Sequence, residues 1–291
     1  MPFKPFRSGS VFRPTRDTSR DQELAKTIEA QERKRAWHVQ KAEQKANYAH
    51  EKIPGAHFDR MDLSNGNFEK AIITGGSFMS AKLENTHFDN ADLTNVSFSG
   101  ADMRQAILDN AIVEGASFEE ANLQGARLKN VRLDTASNLL GIQLKGAYLS
   151  GVSMTGVQLD GYNLQGAYLV KADLWLAHLE AAQLQKVDFF EANMQGVKCA
   201  RANFAEARLN NAFLDEADLR DADLTQTVLE NASLRGANLT GATVTGADVT
   251  GADFTDAKIT IEQILTTRHY EEAIFSPEIS AQMPKNKIDQ L

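Results

Sequence analysis

The amino-acid sequence predicts an all-β solenoid, in which a short unit repeats along most of the chain. Apolar residues occupy 16 consecutive positions at five-residue spacing from Phe58 to Leu133, and 24 more from Leu144 to Ile259. Apolar residues make up only 42% of the whole chain, so this unbroken run of matches does not arise by chance. A short fixed period of this kind indicates a repeat array in which each unit stacks on its neighbours.

Each unit places a small and a large apolar residue on either side of one polar residue, as in Ala91-Asp92-Leu93. Side chains two positions apart point to the same side only when the backbone is extended. The next inward residue comes three positions later, so we expect a turn in every unit, and the recurring Gly and Asn residues suit such turns. The pattern therefore predicts a coil with one short extended face per unit.

The pattern A-(D/N)-L-x-x, seen in 91–95, 121–125 and 237–241, resembles the pentapeptide repeat family over about 200 of the 291 residues. The resemblance implies a right-handed quadrilateral β-helix with four units per coil, hence about ten coils. The sequence supports that coil length independently, because Phe58, Phe78, Phe98 and Phe118 recur at intervals of 20 residues. We expect these four rings to form a ladder in the structural core, with small residues at the other inward positions leaving them room.

We assign residues 53–259 to the β-helix, with one break in register near residues 135–141. Leu133 is followed by Leu139 and Leu144 in place of an apolar residue at 138, so this stretch holds one inserted residue. A single extra residue predicts a bulge, although loops project from the coil in some relatives. Tyr162 stands where Ala is usual, and we expect either local bulging or a hydroxyl that reaches the rim.

The N-terminal residues have a different composition from the repeats. Residues 1–18 are basic and interrupted by three prolines, which predicts an extended arm. Ser19 and Gln22 suit a capping box, and no Gly or Pro follows before residue 51, so residues 19–51 are predicted to form a long α-helix. This polar helix packs either on its own solenoid or on a partner, and both alternatives stay open.

The C-terminal residues resemble the cap that closes many members of the family. We assign residues 260–275 to a short helical cap and residues 276–291 to a tail. Tyr270, Ala273, Ile274 and Phe275 supply enough apolar surface for a second helix or a dimer contact. In family members that target DNA gyrase, a C-terminal apolar helix makes the dimer, so a homodimer through this segment is one expected assembly.

Composition and charge limit the classes of protein to which this chain can belong. The first 50 residues carry 11 basic and 6 acidic side chains, and the remainder carries 20 and 33. We find no stretch long and apolar enough for membrane insertion and no apolar signal segment in residues 1–10, so we expect a cytoplasmic protein. The single cysteine, Cys199, lies in the inward register and is expected to act as a small core residue.

The sequence offers no catalytic centre. His57, His87 and His178 take outward positions on different repeats and make no metal-ligand spacing. The sequence also contains no nucleophile elbow and no glycine-rich phosphate loop. We therefore expect no enzyme activity, no cofactor and no metal.

Two groups of outward residues predict contacts with a protein partner. The first is the basic aromatic arm, comprising Phe3, Lys4, Phe6, Arg7, Phe12, Arg13, Arg16 and Arg20. The second, called here the wall patch, comprises Tyr148, Tyr168, Val170, Trp175, Leu176 and Phe190. Exposed aromatic clusters mark contact sites, and coverage of the wall patch by the N-terminal helix is the alternative.

These features favour a non-enzymatic structural or adaptor protein in a larger protein assembly, anchored by its arm and helix, with the β-helix as a rigid binding scaffold. One alternative, suggested by the family resemblance and the acidic solenoid, is a DNA-mimicking modulator of DNA gyrase or another DNA-binding enzyme. A second alternative is nucleic-acid binding through the arm, with Arg on phosphates and Phe stacking on bases. Five dispersed cations are weak grounds for that alternative.

Overall fold

A computed structural model describes residues 46–284 of the chain. The predicted arm and most of the predicted N-terminal helix, together with residues 285–291, lie outside the described residues. Within the described part, parallel bridges join residues 20 positions apart, such as Asn47 to Asn67 and Asp62 to Lys82. The predicted coil length is therefore confirmed.

Four columns of bridges run along the β-helix, one for each unit of a coil, and each column defines a wall. The first wall contains Tyr148 and Tyr168, and the second contains Asp173, Asn193 and Phe213. The third contains Gln158 and His178, and the fourth contains Asn163 and Gln183.

Each unit ends in a β-turn of the kind the sequence predicts. The Ala91 N–H donates to the Phe88 carbonyl at 3.0 Å, and Asn90 between them has a φ of 56°. Type II turns require a positive φ at this third position, which Gly and Asn tolerate best. The polar residue between the two inward ones also has a role, because Asp92 Oδ1 accepts from the Thr94 N–H at 3.1 Å.

The core is the stack of inward side chains. The rings of Phe58, Phe78, Phe98 and Phe118 are fully buried and stack in sequence at 4.8, 5.2 and 5.2 Å between centroids. Phe68 meets Phe58 edge to face across the interior at 5.5 Å. The predicted aromatic ladder is confirmed. Cys199 is also fully buried, and burial raises the pKa of its thiol well above the ordinary value.

The β-helix begins earlier than predicted. Asn47 bridges Asn67, and Tyr48 is fully buried with its ring stacked on Phe68 at 4.8 Å. His50, at the turn, has a φ of 61°. The predicted helix end at residue 51 is therefore wrong, because Ala46 and Tyr48 continue the inward register one unit before Ile53.

The predicted cap helix over residues 260–275 is also corrected. Helix α1 covers only Ile261–Ile264, with Thr260 and Gln263 forming a capping box. A 3-10 turn follows at Tyr270–Glu272, and strand β2 (Ile274–Phe275) pairs in parallel with strand β1 (Asp253–Phe254). Ala273 and Phe275 repeat the small and large inward spacing, so Phe275 stacks on Phe254 at 5.4 Å and adds one more unit.

The predicted tail begins with ordered structure. Ser276 is buried, and its Oγ accepts from the Asp256 N–H at 2.7 Å. Helix α2 covers Pro277–Ser280. The chain therefore stays attached to the last coil beyond the predicted boundary at residue 276.

The inserted residue interrupts the bridge columns on three walls, including the second, where no bridge joins Ile112 to Arg132. After a 3-10 turn at Leu133–Thr135, no bridge joins Asn138 to Gln158 on the third wall or Gln143 to Asn163 on the fourth. Tyr148 and Tyr168 remain bridged on the first wall. We call this interruption the seam. It is a bulge within the coil, as expected, and not a projecting loop.

Tyr162 fills the seam. Its hydroxyl accepts a hydrogen bond from the Gly141 N–H at 2.8 Å and donates to the Leu139 carbonyl at 3.4 Å. In regular coils the equivalent N–H bonds to the next coil directly, as Gly146 does to the Gln165 carbonyl at 3.0 Å. Tyr162 thus replaces one lost backbone contact, which explains why a large residue stands where Ala is usual.

Candidate protein-interaction surface

The candidate surface consists of large apolar side chains that the closed core leaves in solvent. Tyr148 and Trp175 are each 47% exposed, and Tyr168 and Leu176 are each 43% exposed. Val170 and Phe190 are half-buried beside the two tyrosines. All six residues of the wall patch therefore lie on the outside of the β-helix, as the sequence predicts.

The two tyrosines form one flat element on the first wall. Their rings stack at 4.8 Å between centroids with 3° between planes, at bridged positions of adjacent coils. Asp or Asn at this position accepts a hydrogen bond from the backbone two residues later, as Asn67 Oδ1 does from the Glu69 N–H at 2.9 Å. A tyrosine ring offers no such acceptor, so the coil itself gives no reason for aromatic residues here.

Trp175 and Leu176 lie around the corner from the tyrosines. Trp175 is on the second wall, and Leu176 is at the turn that leads to the third. An ion pair between Lys171 and Glu191, 3.2 Å from Nζ to the carboxylate oxygen, occupies the corner between the first and second walls. The wall patch therefore consists of two groups on adjacent walls.

Leu176 has an unfavourable backbone conformation. Its φ is 54°, in the left-handed region, where most other positive-φ residues of the described chain are glycine, asparagine or charged. A residue with a Cβ costs about 1–2 kcal/mol there. The same corner is Gly156 one coil earlier and Gly196 one coil later. The fold thus tolerates glycine at this corner, yet this coil has a leucine there with its side chain exposed.

A fourth exposed ring, Phe213, is not among the residues that the sequence predicts for the contact surface. It is 47% exposed and lies on the second wall, in the bridge column of Asp173 and Asn193. Ile112 on the same wall is 54% exposed. The available signal was the position itself, because Phe213 and Ile112 each stand between a small and a large inward residue, where Asp or Asn is usual.

Two clefts lie on either side of Tyr162 at the seam, with volumes of about 440 and 550 Å³. Polar side chains at their edges include Gln143, Lys145 and Asp160. Asp134 Oδ1 is buried in the second cleft without a hydrogen-bond partner, while its Oδ2 meets Arg132 at 3.0 Å. No nucleophile and base face each other among these lining residues.

Asp248 attaches the C-terminal segment to the last coils. Its carboxylate meets His269 Nδ1 at 3.1 Å and accepts from Thr250 Oγ1 at 2.7 Å. Partial burial acts to raise the pKa of Asp248, but the hydrogen bonds from Thr250 and His269 outweigh it and lower that pKa to about 2. This cluster has a structural role at the end of the β-helix.

Other features of residues 46–284 bear on function. In this part of the chain, no group of three or more His, Cys, Asp or Glu side chains is placed to hold a metal ion. No helix of the described chain has the length and apolar character needed to cross a membrane. The eight arm residues from Phe3 to Arg20 lie outside the described residues, so their role stays a prediction.

Comparison with known families supports the repeat assignment. The model described as pentapeptide repeats matches residues 159–196, 198–227 and 217–256, with eight copies. A second model, described as a pentapeptide repeat region, matches residues 51–128. Together these matches cover more than half of the chain. No curated protein matches the chain.

Three solved structures illustrate the similarity. HetL, a pentapeptide repeat protein involved in heterocyst differentiation regulation in the cyanobacterium Nostoc sp. strain PCC 7120, is 28% identical, with a TM-score of 0.38 over 72% of this chain and 89% of HetL. Trypsin-treated QnrB1, a plasmid-mediated fluoroquinolone resistance protein, is 20% identical, with a TM-score of 0.32 over 73% of this chain and 91% of its own. A pentapeptide repeat protein of the Arabidopsis thaliana thylakoid lumen is 25% identical, with a TM-score of 0.20 over 42% of this chain and 74% of its own. With TM-scores this low, none of the three indicates a partner or an activity for this chain.

Proposed function

Because the chain belongs to the pentapeptide repeat family, we propose that it is a non-enzymatic adaptor whose rigid β-helix presents a binding surface to another protein. The wall patch is the contact surface in this proposal. The basic aromatic arm anchors the adaptor in its assembly, which its charge and its interleaved Phe residues support.

The observation that carries the proposal is the outward placement of large apolar side chains at positions where the coil does not need them. The stacked pair Tyr148 and Tyr168 replaces residues that would bond the backbone, and Leu176 adopts a conformation that glycine would adopt at lower cost. Pre-formed walls lose little conformational entropy on binding, and exposed aromatic residues supply contact area. Binding therefore offers the physical reason for these residues that folding does not.

The test is affinity purification of the full-length protein from its native lysate. A variant combining Tyr148→Ser, Tyr168→Ser, Trp175→Ser and Leu176→Gly should lose a stoichiometric partner. A control carrying Lys145→Ser and Gln165→Ser on the fourth wall should retain it. Recovery of the same proteins with both variants would contradict a contact at the wall patch.

A truncation tests the arm separately. The deletion should end at residue 45, because Ala46 and Tyr48 are part of the first described coil. Loss of the partner on deletion of residues 1–45 is expected if the arm anchors the complex. Retention of the partner by the truncated chain would show that the walls suffice, and the arm would then have no part in the contact.

The distribution of charge favours one second candidate, a DNA-mimicking modulator of DNA gyrase or another DNA-binding enzyme. Residues 46–284 carry 32 acidic and 18 basic side chains. The acidic residues are spread over all four walls, and the second wall carries eight of them, at Asp92, Glu114, Asp134, Asp173, Asp215, Glu216, Asp253 and Asp256. A DNA mimic should inhibit or protect gyrase in a supercoiling assay and should compete with duplex DNA, and no effect at micromolar protein would exclude this candidate.

A homodimer through the C-terminal segment is also part of the proposal. Tyr270, Ala273 and Phe275 pack against the core, whereas Leu265 and Ile274 are 45% and 54% exposed. These two side chains are the apolar surface available for a second copy. Light scattering after size-exclusion chromatography should show a dimer that Ile274→Asn dissociates, and a monomeric wild type would reject this assembly.

A further inference from the structure

The second wall presents an apolar ridge, which we define as Trp175, Leu176 and Phe213. Trp175 and Phe213 are each 47% exposed and Leu176 is 43% exposed. Asp173, Asn193 and Phe213 follow one another in successive coils of one bridge column. The ridge therefore spans three coils, or about 10 Å along the β-helix, with the polar residues Asn193 and Gln195 of the middle coil between its apolar ends.

The backbone beneath the ridge is held in place before any partner arrives. The backbone N–H of Trp175 donates to Asp173 Oδ1 at 3.2 Å, and the same oxygen accepts from Asn193 Nδ2 at 2.9 Å. Leu176 lies over bare backbone, because a Cβ added at Gly196 would come within 2.7 Å of its Cδ2. A pre-organised backbone loses little freedom on binding, which favours a contact role.

Negative charge borders the ridge. From Ser153 to Glu216, the outward positions of the second wall include Asp173, Asp215 and Glu216 but no Lys or Arg. Glu216 is exposed and makes no ion pair within the described chain. Two flanking cations are already paired, Lys171 with Glu191 at 3.2 Å and Arg235 with Asp253 at 2.9 Å, whereas Lys198 is exposed on the neighbouring third wall.

We propose that the ridge binds a cationic amphipathic segment of a partner protein. Apolar side chains of that segment cover Trp175, Leu176 and Phe213, while its Lys or Arg side chains approach Glu216 and Asp215. The inference rests on the proposed adaptor function and adds the chemistry of the partner. Nucleic acid and acidic proteins do not fit, because the same carboxylates would repel them.

Peptide display tests the proposal with probes of random sequence. Random peptides displayed on phage are selected on the immobilised full-length protein, with Leu176→Gly as the counter-selection. Enriched peptides should combine Lys or Arg with Leu, Phe or Trp. Synthetic copies should bind the wild type about tenfold more tightly than Leu176→Gly, the scale expected for an apolar anchor residue. Enrichment of acidic or uncharged peptides, or equal binding to Leu176→Gly, would overturn the proposal.

Two further variants make the result specific. Glu216→Gln should lower the affinity for the synthetic peptides about threefold at low salt and reduce the salt dependence of their binding. Ala181→Gly is the matched control, because Ala181 has the same backbone conformation, with a φ of 55°, but no large side chain. Its binding should equal that of the wild type. A wild-type dimer that Leu176→Gly dissociates would also overturn the proposal, since a second copy would then occupy the ridge.

The inference and the proposed function fail in different ways. Suppose the wall-patch variant loses its partner from lysate while the selected peptides show no cationic preference. The adaptor function then stands and the cationic partner is rejected. If the wall-patch variant keeps its lysate partners, the contact surface of the proposed function is rejected.

Discussion

Tyr162 should become dispensable when the inserted residue is removed. In the native chain its ring occupies the seam, and its hydroxyl accepts from the Gly141 N–H at 2.8 Å. Tyr162→Phe should cost about 1 kcal/mol, the net value of one hydrogen bond. Tyr162→Ala should cost roughly 2 kcal/mol, about half the loss for a fully buried aromatic residue, because this side chain is only partly buried.

Deletion of Ala136 restores five-residue spacing from Leu133 onward. The third and fourth walls should then pair without interruption and leave no gap for the ring. In that background, Tyr162→Ala should be neutral or stabilising, giving a coupling energy of about 2 kcal/mol in the double-mutant cycle. In calorimetry, the change in melting temperature caused by Tyr162→Ala should differ by roughly 4–8 °C between the two backgrounds.

Tyr148→Phe serves as the control, because the Tyr148 hydroxyl makes no hydrogen bond within the described chain. Its melting temperature should match that of the wild type. Amide hydrogen exchange at Gly141 should also accelerate in Tyr162→Phe, since that N–H loses its acceptor. An equal cost of Tyr162→Ala in both backgrounds would refute the idea that Tyr162 compensates for the inserted residue.

Three other outcomes follow from the structure. Phe98→Ala should lower the free energy of unfolding by about 3–5 kcal/mol in thermal or urea unfolding, because Phe98 stacks on both Phe78 and Phe118. The free energy of unfolding should fall as the pH drops from about 4 to 2. The pKa of Asp248 is about 2 in the folded chain and about 3.9 in the unfolded chain, so protonation favours the unfolded chain. Asp248→Asn should flatten this dependence in a pH series of melting curves. Cys199 should resist a thiol reagent at pH 8 until urea is added, because burial raises the pKa of its thiol. Rapid labelling of the native protein would contradict its place in the core.

The regular part of the fold could be read from the sequence because its signal repeats. Forty inward positions specify the register, and the spacing of Phe58, Phe78 and Phe98 gives the coil length directly. Single units at the two ends do not have this redundancy. Ala46 and Tyr48 follow a stretch of strong helix formers, and Ala273 and Phe275 follow an irregular segment. At both ends, a single match to the repeat pattern is a weaker signal than the composition of the neighbouring residues.

The candidate surface could be predicted only in part. Tyr148 and Tyr168 were recognisable because aromatic residues replace Asp or Asn at an outward position. The strain at Leu176 was missed, although a signal was present: the turn position recurs every five residues with a positive φ, and a leucine there departs from the usual glycine, asparagine or charged residue. The contact between Tyr162 and Gly141 joins residues 21 positions apart, and it becomes visible only when the coils on either side of the seam are placed.

Site-specific photocrosslinking in living cells tests the central claim, that the walls contact another protein, most directly. A benzophenone amino acid is introduced at position 175 or 168 of the full-length protein, and at position 145 on the fourth wall as the control. The account predicts one discrete crosslinked protein from positions 175 and 168 and none from position 145. Identical crosslinking patterns from all three positions, or none from positions 175 and 168, would contradict it.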